Sequence, residues 1–311
     1  MAETLLQYAA MVPSKKRRGI VEAFAKTNPI LEAMRFQDIG DAKSYEYNVE
    51  AALGGIGFRA LNAGYDDSAK TSGLTNPVVE STAIMGGEIP IDRDFYMNAV
   101  YKGNKTSMKA KAAAKFFCRQ FFDGNRSTEP RGFEGLNRRL TGPNLEVAGT
   151  NGGLLDLDVL EAVIDFVHGT PDRKRLLMGD AVQRLLGAMI RAQGGTVISL
   201  SEWQSQGKPK SFAGVQILDP DEDESANKIL AFDETCGTSD VSGSIYVVRF
   251  GENDEEDLVG LARKAAQGIF EIEDQGVRNT TGNILVEGRV GMALHHPRCV
   301  KRYMGILESL T

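Results

Sequence analysis

The sequence predicts an α+β fold, in which a stretch of strands lies between two helical segments and an α/β region follows. Residues 3–12 and 18–35 place apolar side chains at helical spacing. Residues 37–91 alternate apolar and polar side chains near both ends and are rich in glycine between them, which is typical of strands joined by turns. From about residue 146, helical stretches alternate with short apolar runs that are typical of strands.

The N-terminal segment is predicted to be helical but interrupted. Ile20 and Phe24 lie at helical spacing, and Pro13 and the Asn28-Pro29 pair break the pattern on either side of them. Prolines at these points indicate a jointed arm rather than one helix of a bundle.

Residues 37–91 have the pattern of a folded segment but lack the apolar content for a core. Tyr45, Tyr47 and Val49 alternate at the start of this stretch, and Ile89 and Ile91 alternate at its end. A two-stranded ribbon is at best marginally stable by itself in water. We therefore expect an arm that is completed by another subunit.

A long helix is predicted over residues 94–123, ended by Asp123-Gly124-Asn125. No acidic residue lies between Phe95 and Phe122. The six bases of this helix are Lys102, Lys105, Lys109, Lys111, Lys115 and Arg119. They form either a solvated face or a face that binds a polyanion without reading its sequence.

The remaining residues are predicted to form alternating elements. Helices are expected over 154–167 and 180–193, and near 257–266. Strands are expected over 175–179, 196–200, 215–218, 228–232, 244–250 and 283–294. A turn at residues 295–297 and a short C-terminal helix complete the prediction.

The composition is that of a soluble globular protein, and the charge is divided unevenly. The 311 residues carry a net charge of −6. Residues 1–140 hold 20 bases against 16 acids, a net charge of +4, and the rest holds 16 bases against 26 acids, a net charge of −10. Three widely spaced cysteines favour a reducing compartment. No stretch approaches the roughly 18 apolar residues of a membrane span, and we expect a cytoplasmic product.

Motifs for cofactors and metals are incomplete. Gly55 and Gly57 partly match a dinucleotide fingerprint, but no parallel-sheet pattern surrounds them. The acidic run from Asp219 to Asp223 lacks the glycine and the glutamate of a calcium loop. His295, His296 and Cys299 are too few for a closed metal site. We therefore predict no cofactor, no metal and no catalytic residue.

The order of parts resembles the major capsid proteins of tailed bacteriophages, which have the Hong Kong 97 capsid fold. The stretches that carry the resemblance are GFEGLNRRL at 132–140, RKRLLMGDAVQRLLGAMIRAQGG at 173–195, GSIYVVRFGENDEEDLVGL at 243–261 and EGRVGMALHHPRCVKRYMGI at 287–306. The resemblance implies an N-terminal arm (1–36), an extended E-loop hairpin (37–92), a peripheral domain with a spine helix (93–145, with 286–311) and an axial α/β domain (146–285).

The resemblance also implies partners. The subunits would form pentamers and hexamers of an icosahedral virion capsid that encloses double-stranded DNA and assembles in the bacterial cytoplasm. The E-loop would lie across a neighbouring subunit, and the basic helix would face the DNA without sequence specificity. Candidate inter-subunit contacts are Arg59, Tyr65, Asp66 and Lys70. Because the arm begins almost at Met1, a separate scaffolding protein is expected rather than a fused one, together with a portal protein and possible cement proteins.

Two alternatives remain open from the sequence. An encapsulin-like compartment shell would share the fold but hold cargo peptides instead of DNA. An α/β enzyme within 146–285 would use Asp180, His168 and Asp233, although no spacing ties these three residues together.

Overall fold

The computed structural model of the chain describes residues 3–12, 14–40, 42–192, 208–251, 257–263 and 269–308. Within these residues the chain forms eight α-helices and fifteen strands. The helices are α1 (Leu5–Met11), α2 (Lys15–Ala25), α3 (Pro29–Ala33), α4 (Arg93–Tyr96), α5 (Ala99–Asp123), α6 (Leu136–Arg139), α7 (Leu157–Phe166) and α8 (Asp180–Ala192). The strands are β1 (Glu3–Thr4), β2 (Arg35–Asp38), β3 (Ser44–Ala52), β4 (Leu74–Ser81), β5 (Ala83–Asp92), β6 (Leu145–Val147), β7 (Lys174–Leu177), β8 (Ser211–Phe212), β9 (Val215–Leu218), β10 (Glu234–Cys236), β11 (Ser239–Arg249), β12 (Leu258–Ala262), β13 (Phe270–Arg278), β14 (Thr281–Leu294) and β15 (Val300–Leu307).

The first sheet has the order β1-β2-β12-β14-β13, and β5 pairs with the other side of β14. Its core is rich in aromatic rings that pack against one another. The rings of Phe24 and Phe270 lie 5.0 Å apart between centroids, and Phe117 of α5 lies 5.9 Å from Phe36. Such pairs stabilise a core beyond the area they bury. This cluster fastens the long helix α5 to the sheet.

The second sheet has the order β6-β15-β11-β7-β9-β8, and β10 also pairs with β11. A separate apolar cluster lies between this sheet and helices α7 and α8, with Leu160, Leu176, Leu186 and Val247 fully buried. Two sheets with their own apolar clusters confirm the mixed α+β class.

The N-terminal helices α1, α2 and α3 begin and end close to the predicted breaks. The Asn28 side chain accepts a hydrogen bond from the Ile30 backbone and so caps α3. However, Leu5, Phe24 and Leu31 are fully buried in the first core. The prediction of a jointed arm is therefore wrong in one respect, because these helices pack into the body of the subunit.

The extended arm is shorter than the predicted residues 37–92. Strands β3 and β4 pair only with each other in the described chain, with Tyr47 opposite Val78. Strand β5 pairs with β14 over its whole length, and its Ile89 and Ile91 are buried. The same alternation describes a free ribbon and a half-buried strand, so the sequence did not distinguish β5 from the arm. We call residues 44–81 the arm and residues 53–73 its tip.

Three predicted elements are corrected by the structure. The C-terminal helix is strand β15, which pairs with β11 on one side and with β6 on the other. The described residues of the helix predicted near 257–266 form strand β12, all five residues of which are buried, and residues 264–266 lie outside the described part of the chain. Residues 228–232 form an isolated bridge and a turn rather than a strand. A strand buried on both faces has no alternation to read, which explains the first two errors.

The other predicted elements, including the long helix, are confirmed to within five residues at each end. Residue 193, the last of the helix predicted over 180–193, lies outside the described part of the chain. The strand predicted over 196–200 also lies outside the described residues. No helix in the described part of the chain is long and apolar enough to cross a membrane.

Candidate assembly surfaces

The arm tip presents large apolar side chains to solvent. Ile56, Phe58 and Leu61 are each more than nine-tenths exposed, and Leu53 is 82% exposed. Single exposed apolar residues are ordinary, but a cluster of them marks a surface that another molecule covers. The tip is therefore the strongest candidate for a contact with a second molecule.

The polar candidates of the tip are exposed, and two of them lie together. The Arg59 guanidinium lies 5.8 Å from the centroid of the Tyr65 ring, and its Nη1 donates to the Ala63 carbonyl oxygen at 3.4 Å. The Lys70 Nζ lies 2.8 Å from Asp67 Oδ1. An exposed pair of this kind contributes about 0–1 kcal/mol. Lys70 therefore has a partner in its own chain, and Asp67 was not singled out from the sequence.

Asp66 precedes the short 3₁₀ turn at residues 67–70, and its carbonyl oxygen accepts from the Ala69 backbone at 2.9 Å. Its carboxylate is exposed at the tip. The role of the four predicted contact residues between subunits stays a prediction.

The root of the arm is held against the body by aromatic and histidine contacts. The Tyr45 hydroxyl lies 3.2 Å from Nε2 of His295, and the Tyr47 ring lies 4.7 Å from the His295 ring between centroids. His295 is buried, and its Nδ1 lies 3.1 Å from the Asp257 carbonyl oxygen. A carbonyl oxygen only accepts, so Nδ1 carries the hydrogen and donates to Asp257, and when the ring is neutral Nε2 accepts from Tyr45.

Contacts of Asp257 connect His295 to the second sheet. The Asp257 carboxylate is fully buried and lies 2.5 Å from Nε of Arg249, which ends β11. The chain of contacts from Tyr45 through His295 and Asp257 to Arg249 therefore connects the arm root to both sheets.

An ion pair between Arg139 and Glu80, which we call the clamp, lies beside these rings. Arg139 donates from Nη1 and Nη2 to the two carboxylate oxygens of Glu80, at 2.6 and 2.7 Å, and both side chains are only 15% exposed. The Tyr47 hydroxyl donates to Glu80 at 3.4 Å. Burial, and then the Glu80 charge, raise the pKa of Tyr47 far above its usual range, so this donor stays protonated. Arg139 belongs to the GFEGLNRRL stretch, but its spacing gave no sign of a partner 59 residues away.

None of the six bases of α5 is among the buried residues of the helix. Two of them are neutralised by acids from elsewhere in the chain. Lys102 pairs with Asp274 at 3.0 Å and lies 3.9 Å from the Tyr96 ring centroid. Arg119 pairs with Glu224 at 2.6 Å. A count of acids within the helix missed both, because their partners lie over a hundred residues further along the chain.

The other four bases of α5 pair with no acid of the described ranges and differ in exposure. Lys111 is exposed, while Lys105, Lys109 and Lys115 are half-buried. The Lys105 ammonium lies 5.4 Å from the centroid of the Tyr101 ring. The basic face that remains is therefore smaller than the sequence suggests.

Comparison with known proteins finds capsid proteins that are similar to this chain in sequence or in fold. Residues 13–152 match the family model of major capsid protein GP7. The fold is similar to the capsid of a native GTA particle, with a TM-score of 0.66 at 12% identity over 90% of each chain. The chain therefore has the Hong Kong 97 capsid fold.

Two further solved structures have a similar fold. The Microbacterium phage Oxtober96 chain matches with a TM-score of 0.59 at 12% identity over 90% of each chain. The SrpI encapsulin of Synechococcus elongatus PCC 7942 matches with a TM-score of 0.61 at 11% identity, over 89% of this chain and 86% of the encapsulin. No curated protein sequence matches the chain.

The three residues of the enzyme alternative lie in different surroundings. Asp180 binds Lys208 at 2.5 Å, and the His168 ring lies 5.4 Å from the His296 ring. Asp233 directly precedes β10. Within the described ranges, no group of three or more His, Cys, Asp or Glu residues is placed to hold a metal ion.

Asp180 belongs instead to an acid pair with Asp219. Burial raises the pKa of Asp219 to about 6, and the hydrogen bond from Lys208 lowers the pKa of Asp180. The Asp219 carboxylate also accepts from the Asp221 backbone at 2.8 Å. An acid whose pKa is higher in the folded state than in the unfolded state binds more protons when folded. Stability therefore falls as the pH rises from about 4 to 6.

We expect Asp219→Asn to raise the free energy of unfolding at pH 7 by about 1–2 kcal/mol. The amide keeps an acceptor for the Asp221 backbone and removes the buried charge. The gain should shrink as the pH falls towards 4, and chemical denaturation across this pH range measures it. The exposed Glu161→Gln is the control. A gain that does not change with pH would contradict the assignment.

Proposed function

We propose that this protein is the major capsid protein of a tailed bacteriophage head, and that its pentamers and hexamers build an icosahedral shell around double-stranded DNA. The proposal rests mainly on the exposed apolar tip of the arm. Its tip exposes Ile56, Phe58 and Leu61 at the end of a ribbon that is clamped firmly at its root. Rigid placement of an uncovered apolar surface is expected of a subunit that is completed by its neighbours.

The two apolar clusters support a division into two domains. We assign the first sheet and α5 to the peripheral domain, and the second sheet with α7 and α8 to the axial domain. Strand β15 belongs to the axial sheet by its pairing with β11, so we end the peripheral domain near the end of β14.

Expression of the chain alone tests the proposed function. Negative-stain microscopy and light scattering should reveal closed shells of uniform size. A monomer under all conditions of salt and concentration, even with its phage partners present, would contradict the proposal.

An encapsulin-like compartment is the second candidate, because the encapsulin SrpI shares the fold. The exposed Lys111 and the half-buried Lys115, which no acid of the described chain neutralises, favour a shell that contacts nucleic acid. Scaffolding, portal and cement proteins, and assembly in the bacterial cytoplasm, stay predictions.

We expect the double variant Lys111→Gln, Lys115→Gln to assemble normally and to bind duplex DNA more weakly, without regard to sequence. Each phosphate contact that is lost should reduce the slope of log affinity against log salt by about 0.9. Binding of capsomers to a DNA duplex over a range of salt measures this slope. Lys26→Gln, an exposed base outside α5, is the control. An unchanged dependence of DNA affinity on salt would favour the encapsulin-like compartment instead.

A further inference from the structure

A polar cavity of about 420 Å³ lies between the N-terminal segment and the second sheet. Its volume is within the roughly 300–1,000 Å³ of small-molecule sites. One part of its lining comes from α3 and β2, and another comes from the turn before β7 and from β7 itself. The charged side chains of the lining are Glu32, Arg35, Asp172, Arg173 and Arg175.

The guanidinium of Arg175 is held in one orientation, and part of it remains available to a ligand. Its Nη1 donates to the backbone carbonyl oxygens of Asp172 and Lys174, at 2.6 and 2.7 Å. A guanidinium has five N–H donors, so the two at Nη1 are used and three remain. Burial lowers the pKa of Arg175 below its ordinary value, and the charge of Asp172 raises it in part. This cation is therefore fixed in place and only partly hydrated.

The positive charge of the cavity exceeds the negative charge of its described lining. Three arginines against two acids leave a net charge of +1. Among the residues that the structure describes, no acid lies within ion-pair distance of Arg173 or Arg175. Removing a cation from water is costly unless an anion pairs with it. The four acids of residues 252–256, which follow Gly251 in the sequence and lie outside the described ranges, are the competing source of negative charge.

We infer that this cavity binds a phosphate compound of at least two negative charges, held by Arg173 and Arg175, with Arg35 of β2 also lining the site. The planar fork of a guanidinium matches two oxygens of a phosphate group, which makes arginine the side chain best suited to this ligand. The inference goes beyond the proposed function, because it applies to the subunit of any shell.

A ligand at this place would connect two parts of the subunit. Phe36 of β2 is buried in the first apolar cluster, and Leu176 of β7 is buried in the second. A compound that binds only the folded subunit stabilises it by mass action. The midpoint of thermal unfolding should therefore rise with the concentration of the phosphate compound.

Calorimetric titration of the full chain with pyrophosphate, at an ionic strength held constant with chloride, tests the inference. We expect one site per subunit and a higher midpoint of thermal unfolding with pyrophosphate than with chloride alone. Arg173→Gln and Arg175→Gln should each weaken binding at least tenfold. Arg138→Gln is the matched control, because Arg138 is exposed on α6 and does not line the cavity.

A variant of opposite sign makes the test sharper. Asp172→Asn removes a negative charge from the lining and should tighten the binding of pyrophosphate about threefold. Salt that acts only on the net charge of the protein would affect Asp172→Asn and a distant Asp158→Asn equally, and this result would contradict the inference. Both aspartates are exposed.

Arg173→Gln is decisive if Arg175→Gln does not fold, because the Arg173 side chain is exposed. Equal affinities of the wild type, Arg173→Gln and Arg138→Gln would overturn the inference. The absence of binding to the wild type would also overturn it and would point to the acids of residues 252–256 instead. A short DNA duplex identifies the source of the phosphate: competition with pyrophosphate assigns the site to DNA, and independent binding assigns it to a free phosphate compound.

Discussion

The triple variant Ile56→Ser, Phe58→Ser, Leu61→Ser is expected to abolish shell assembly and to leave the subunit folded. All three side chains are more than nine-tenths exposed, so they contribute little to the free energy of unfolding of a single subunit. Burial of each in a contact would contribute about 1.5–3 kcal/mol. Loss of all three should therefore raise the concentration needed for assembly by at least about a hundredfold.

Light scattering over a range of protein concentrations measures that shift, and circular dichroism during heating checks the fold. Ala63→Ser is the matched control, because Ala63 is exposed at the same tip but is small. If the triple variant assembles at the wild-type concentration, the tip is not an assembly surface. If it fails to fold, the tip belongs to the core of its own subunit.

Arg139→Ala is expected to destabilise the subunit and to impair assembly. The substitution leaves the Glu80 carboxylate, 15% exposed, without its two donated hydrogen bonds. Removal of one partner from a buried pair costs about 3–5 kcal/mol, and the partial exposure of this pair places the expected loss near about 2–3 kcal/mol. The arm should also lose its fixed direction, because Tyr47 donates to the same carboxylate.

Chemical denaturation measures the free energy of unfolding, and microscopy measures the yield of shells. Arg138→Ala is the matched control, since Arg138 is exposed on the same short helix. The double variant Arg139→Ala, Glu80→Gln also removes the carboxylate charge that Arg139→Ala leaves unpaired. It should recover part of the stability without recovering assembly. Equal effects of Arg138→Ala and Arg139→Ala would show that the clamp does not hold the arm.

The sequence predicted the elements whose patterns are local. The long helix was found because Phe117 and Phe121 share one face and Asp123-Gly124 ends it. The ribbon was found because Tyr45, Tyr47 and the glycines mark strands and a turn-rich tip. In both places the signal lies within a few neighbouring residues.

The contacts that decide the arm's direction were not predictable in this way. His295 meets Tyr45 across 250 residues of chain, and Arg139 meets Glu80 across 59. One sequence carries no information about which distant residues meet. In the sequence, His295 belongs only to an incomplete metal motif, and Arg139 only to a stretch that carries a family resemblance.

The charge of α5 illustrates the same limit. Its lack of acids is a true property of the helix, but Asp274 of β13 and Glu224 supply the missing charges in space. The buried strands β12 and β15 failed for a different reason, because residues buried on both faces carry no period to read.

A cryo-electron microscopy reconstruction of the assembled particle tests the central claim most directly. It should trace residues 44–81 of each subunit onto a neighbouring subunit, with the side chain of Phe58 covered by that neighbour. A particle in which the tip is exposed to solvent, or folds back onto its own subunit, would contradict the account.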